Sequence, residues 1–166
     1  MADIRALLNR LNTESKKHLE GSISSCVTRG HYEVTAAHFL DQALARKDGS
    51  ITQILLESES DVNLWKVELQ KDLQTYKTGN TSRPVFHPQF AKTLEEAWGI
   101  ASLEWGLAEL TPAAFFASLR KAPAALSPAL QDLIKTLKTE DFAAKFGHAS
   151  TSPGPELSEE SFLEKF

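Results

Sequence analysis

The sequence predicts an all-α fold: two pseudo-symmetric four-helix repeats preceded by one extra N-terminal helix. Three observations carry this. Apolar residues recur at i, i+3, i+4 and i+7 along most of the chain, the period of an amphipathic helix. No run alternates strictly between tight-turn dipeptides, so β signals are poor. Residues in the two halves also match at a constant offset.

The elements follow in order. Ile4, Leu7, Leu8 and Leu11 form one stripe on a short helix. Leu19, Ile23, Cys26 and Val27 repeat the pattern, with Thr13 and Glu14 suited to the helix start. Thr35 caps a segment carrying Phe39, Leu40, Ala43 and Leu44, and Ser50 caps another with Ile51, Ile54 and Leu55. Val62, Trp65, Leu69, Leu73 and Tyr76 make a longer stripe. The polar run Thr78–Pro84, with Gly79 and Pro84, reads as a connector. Helices resume at His87-Pro88, since proline at the first helical position loses no hydrogen bond. Phe90, Leu94, Trp98 and Ala101 form the next stripe. Thr111-Pro112 and Ser127-Pro128 start two further helices, carrying Phe115, Phe116 and Leu119, then Leu130, Leu133, Ile134 and Leu137. Thr139 caps a last segment with Phe142 and Phe146. From Gly147 to Glu160 the chain is polar with Pro153-Gly154-Pro155, the composition of a mobile linker.

The repeat rests on three matches. Leu19 and Leu94 are 75 residues apart within Lys-x-Leu-Glu, and Thr35 and Thr111 are 76 apart within Thr-x-Ala-x-Phe. Ile51 and Leu55 pair with Leu126 and Leu130, again at 75. The division is 1–12 for the extra helix, 13–77 for the first repeat and 78–86 for the connector. The second repeat is 87–146, and 147–166 is a linker.

The chemistry of the chain is sparse. Net charge is −4, which argues against a nucleic-acid partner because phosphate neutralisation needs a basic face. One Cys gives no disulfide framework, no apolar stretch approaches a membrane span, and no signal peptide is visible. There is no phosphate-cradling G-x-x-x-x-G-K-[ST], no H-E-x-x-H, no G-x-S-x-G and no C-x-x-C. No catalytic residue and no metal site is assigned. Cys26, on an apolar stripe, reads as packing. His38, three residues after the cap Thr35, reads as a histidine bonded to backbone; a metal would need further ligands that the spacing does not reveal. Trp65, Trp98 and Trp105 read as core at helical spacing.

The extra helix must lay its apolar face on something. Either it packs on the core, or it forms one wall of a hydrophobic groove against the first repeat helix. The groove would be lined by Ile4, Leu7, Leu8, Leu11, Leu19 and Ile23 and closed at one end by Phe86. Such a groove accepts an amphipathic helix, and Gly21 and Ser22 would let it come close.

Two such repeats, a polar connector and a trailing linker resemble the N-terminal domain of the Clp/Hsp100 AAA+ unfoldases, over roughly residues 11–147. The resemblance is nearest the ClpV branch, the Clp ATPases of type VI secretion systems. It is carried by Leu8-Asn9-Arg10-Leu11-Asn12, the run from Cys26 to Val34, His38-Phe39-Leu40, Glu96-Ala97-Trp98 and Ala101-Ser102-Leu103-Glu104. Phe162-Leu163-Glu164-Lys165-Phe166 resembles the lead-in to the first ATPase module. Ala113-Ala114-Phe115-Phe116 departs from the pattern, lacking the His of a faithful second repeat.

The resemblance implies a recognition domain with no cofactor of its own, belonging to a hexameric bacterial cytoplasmic ATPase that uses ATP and Mg. It implies as partner a helical N-terminal segment of the large subunit of the contracted sheath, which the motor disassembles. It also implies that the domain alone is a monomer that hydrolyses no ATP. The alternatives are the N domain of a general Clp unfoldase, binding adaptor proteins or unfolded chains, and an all-α enzyme with the tryptophans in a pocket.

Overall fold

The structure is a computed structural model that describes residues 4–137. Its helices are α1 (Ile4–Asn9), α2 (Thr13–Arg29), α3 (Ala36–Leu44), α4 (Ser50–Glu57) and α5 (Val62–Thr75) in the first half. The second half holds α6 (Pro88–Gly99), α7 (Pro112–Lys121) and α8 (Pro128–Lys135). A π-helical turn, Ile100–Glu104, prolongs α6, and a 3-10 turn, Pro123–Ala125, precedes α8. The fold is all-α, as the periodicity predicts. The segment expected behind Thr139 and the linker 147–166 lie outside the described residues.

The caps explain where the helices begin. The Asn12 side chain accepts the Ser15 N–H at 2.8 Å, one residue before the expected start at Thr13. Thr35 and His38 form a capping box on α3, in which His38 Nδ1 accepts the Thr35 N–H at 3.0 Å. His87 accepts from the Gln89 N–H and Thr111 from the Ala114 N–H, each before a proline in the first turn. Ser50 is not itself the cap of α4, which is Gly49. Instead the Ser50 N–H and O–H both donate to the Glu14 carboxylate on α2, at 2.7 and 2.5 Å. A carboxylate from one helix thus satisfies the start of another, where the helix dipole favours negative charge.

Two short extended pairings join the halves, too brief to leave an alternating signature. β1 (Glu33–Val34) pairs in parallel with β2 (Val85–Phe86). Leu11 pairs in parallel with Leu110. Leu11 and Phe86 are 75 residues apart, and Val34 and Leu110 are 76 apart. Each half therefore opens on a segment that pairs beside the segment leading into the second long helix of the other half. Leu11 accordingly belongs to the repeat, and the extra element is α1 alone.

One core joins the halves. Phe39 and Phe115, equivalent at offset 76, pack with their rings tilted by 43° and centroids 4.3 Å apart, and both are fully buried. Leu19 and Leu94 are both at 0% exposure, as are Leu55 and Leu130. Trp65 is buried, its indole N–H donating to Ser60, while Trp98 and Trp105 are half-buried against the core. Gly30 ends α2 at φ 71°, in the left-handed region, and its missing Cβ would stand 3.2 Å from the Gly79 nitrogen. There the connector folds back, with the Asn80 N–H donating to the Gly30 carbonyl.

Candidate functional site

The seven residues expected to line a groove divide by burial. Leu7, Leu11 and Leu19 lie in the core at 3%, 1% and 0% exposure. Ile4, Leu8, Ile23 and Phe86 are half-buried and rest against it. On α1 the stripe therefore splits: Leu7 faces inward, and Ile4 and Leu8 lie along its margin. Phe86 packs on Phe90 with the rings tilted by 45° and their centroids 5.9 Å apart.

The helix α1 also docks elsewhere than expected, lying chiefly against α6 of the second half rather than against α2. The cause is the pinned turn behind it. The Asn12 N–H donates to the Leu110 carbonyl at 2.9 Å and the Leu110 N–H to the Arg10 carbonyl at 2.6 Å. These bonds carry the end of α1 over to the second repeat. The Arg10 guanidinium then sits 5.3 Å from the Trp98 ring centroid, a cation–π distance. Arg10 and Trp98 thus meet where α1 lies against α6. Spacing could not bring Arg10 and Trp98 together, since the contact spans the whole first repeat. Gly21 and Ser22 serve an internal purpose: Ser22 is fully buried, and the missing Cβ of Gly21 is occupied by Gln42 of α3.

A second constellation lies at the end of α2. Cys26, His31 and His38 are all buried, and one ligand atom from each lies within 4.8 Å of the others. His38 Nδ1 accepts the Thr35 N–H, so Nε2 carries the ring proton and donates it to His31 Nδ1 at 2.9 Å. The Cys26 thiol faces the His31 carbonyl at 3.6 Å. Burial, with the charge of Glu33, pushes the thiol up to about 11. Burial, with His31 and Arg29, pushes His38 down to about 4, so both groups are neutral at pH 7. Tyr76 closes the cluster, its hydroxyl 3.1 Å from Thr35 Oγ1. A cleft of about 490 Å³ opens beside it, lined by His31, Thr35, Tyr76, Lys77, His87 and Gln89 among others. The packing reading of Cys26 and the backbone-bonded reading of His38 both agree with this geometry. What spacing did not reveal is that His31, seven residues before His38, turns back onto it.

No protein-family model matches the chain. It is 27% identical over 157 residues to the AAA+ ATPase ClpV1 of Pseudomonas aeruginosa. That match covers 92% of this chain, which spans 17% of the length of the relative. Among solved structures, a ClpV N-domain in complex with a VipB peptide is 28% identical, with a TM-score of 0.78, over 89% of this chain and 91% of that one. The N-domain of ClpV from Vibrio cholerae is 30% identical, with a TM-score of 0.79, and the match covers 87% of each chain. On this likeness in sequence and shape the chain belongs to the ClpV N-domain family.

Proposed function

We propose that this domain captures a helical segment near the N-terminus of the large subunit of a contracted type VI secretion sheath, so that an attached motor can disassemble and recycle the sheath. The observation that carries the reading is the likeness to a ClpV N-domain bound to a VipB peptide. The half-buried Ile4, Leu8, Ile23 and Phe86 supply the contact surface, and the buried Leu7, Leu11 and Leu19 hold it in shape. Half-buried apolar residues suit such a task. They release water when a partner covers them, yet the fold does not depend on their full burial. The motor is the remainder of the parent protein, a bacterial cytoplasmic hexamer using ATP and Mg. The domain itself is a monomer that hydrolyses no nucleotide, consistent with the missing phosphate loop.

The test places a charge at each contact position, Leu8→Glu, Ile23→Glu and Phe86→Glu, and titrates a helical peptide from the large sheath subunit. Each variant is expected to bind about tenfold or more weakly, the order of 2 kcal/mol typical of a hot spot. Melting temperatures should change little. Unchanged binding in all three would overturn the assignment of this contact surface. Equal affinity for an unrelated unfolded chain would favour a general unfoldase role instead.

A further inference from the structure

We propose that Cys26, His31 and His38 form a buried site for Cu(I), held by one thiolate and two imidazole nitrogens. The three donors converge from the last turn of α2, the loop after it and the first turn of α3, all within 4.8 Å of one another. Two nitrogens each about 2.0 Å from one ion stand roughly 3.4 Å apart. His31 Nδ1 and His38 Nε2 are already at 2.9 Å, so a small parting of the rings admits the ion. His38 is oriented from behind by the Thr35 hydroxyl, whose oxygen lies 3.0 Å from Nδ1 and can accept its proton once Nε2 holds the ion. Such outer partners fix a ligating imidazole in place. The adjoining cleft, walled by His31, Thr35 and Tyr76, provides the entry path.

The proton balance is simple. Cys26 gives up its thiol proton as the Cu–S bond forms, and that proton leaves to solvent. His38 exchanges its Nε2 proton for one on Nδ1, with no net change. It then donates to Thr35 Oγ1 instead of accepting the Thr35 N–H. The copper enters and stays as Cu(I), so no electron is transferred.

Ion choice follows from softness and charge. A thiolate with two imidazoles in a three-donor site suits a soft ion of low coordination number. One thiolate also neutralises one positive charge, so bound Cu(I) leaves the buried site neutral. A divalent ion would leave a net positive charge there, and isolated buried charge is costly. Arg29 already acts on both imidazoles, and Glu33, the carboxylate acting on Cys26, is exposed to solvent. The second repeat has Ala101 and Ala114 at the positions matching Cys26 and His38, so the site is confined to the first half.

The test supplies Cu(I) anaerobically from its bicinchoninate complex. The wild-type domain is expected to take up one equivalent, and X-ray absorption should give one sulfur and two nitrogens around copper. Cys26→Ala should weaken uptake by at least about 100-fold while keeping the helical circular dichroism spectrum. His31→Gln, at the wall of the cleft, gives the same reading should Cys26→Ala not fold. No uptake by the folded wild type, or uptake unchanged in a folded variant, would overturn the site. Zn²⁺ held as tightly as Cu(I) by the same residues would overturn the charge argument.

Discussion

Replacing Glu14 with Gln tests whether one carboxylate ties α2 to the start of α4. Glu14 accepts the Ser50 N–H and O–H on separate oxygens, and His18 Nε2 lies 3.4 Å away. Burial alone would raise the pKa of this carboxyl. His18 and the two Ser50 donors outweigh it and hold the group below the ordinary glutamate value of 4.5. Glutamine keeps one acceptor but turns an amide N–H₂ toward a Ser50 donor. The loss is one charge-assisted hydrogen bond, about 1.5–3 kcal/mol, and the charge at the helix start, about 0.3–1 kcal/mol. Relief of carboxylate desolvation offsets part of it. The expected net cost is about 1–2 kcal/mol at pH 7, roughly 3–8 °C in melting temperature for a domain of this size.

The sign with pH follows from the direction of the shift. A carboxylate held below 4.5 contributes stability that is fully present above that value and is lost as pH falls through its lowered folded value. The gap between wild type and Glu14→Gln should therefore be widest near pH 7 and close in strongly acidic buffer. Paired urea melts at pH 7 and at pH 3 or below measure it. Equal midpoints at pH 7, or a gap that widens on acidification, would refute the cross-helix cap.

Two further substitutions probe the frame. Phe115→Ala removes one ring of the Phe39–Phe115 pair at the junction of the halves and should cost about 3–5 kcal/mol in a denaturant melt; a loss below 1 kcal/mol would mean the halves are joined elsewhere. Gly30→Ala forces a Cβ into a left-handed position beside the Gly79 backbone and should cost about 1–2 kcal/mol by the same measurement, where a neutral outcome would show that the α2 terminus relaxes freely.

The sequence by itself determined the helices, most of their starts and the duplication. These depend on residues three or four apart or on a cap and its neighbours, as with Thr35 and His38 or Thr111 and Pro112. A constant offset is likewise visible without coordinates, and Leu19 and Leu94 end equally buried as it implies. Burial of Cys26 was legible for the same local reason.

Tertiary structure decided which apolar residues face inward and where α1 goes. Ile4, Leu7, Leu8 and Leu11 are equivalent as a hydrophobic pattern. Two backbone bonds to Leu110, almost 100 residues away, set the rotation that buries Leu7 and Leu11 and leaves Ile4 and Leu8 at the margin. Arg10 over Trp98, Glu14 on Ser50 and the meeting of His31 with His38 were hidden for a related reason. Each depends on how a turn or a neighbouring helix directs a side chain, and periodicity carries no information about that direction.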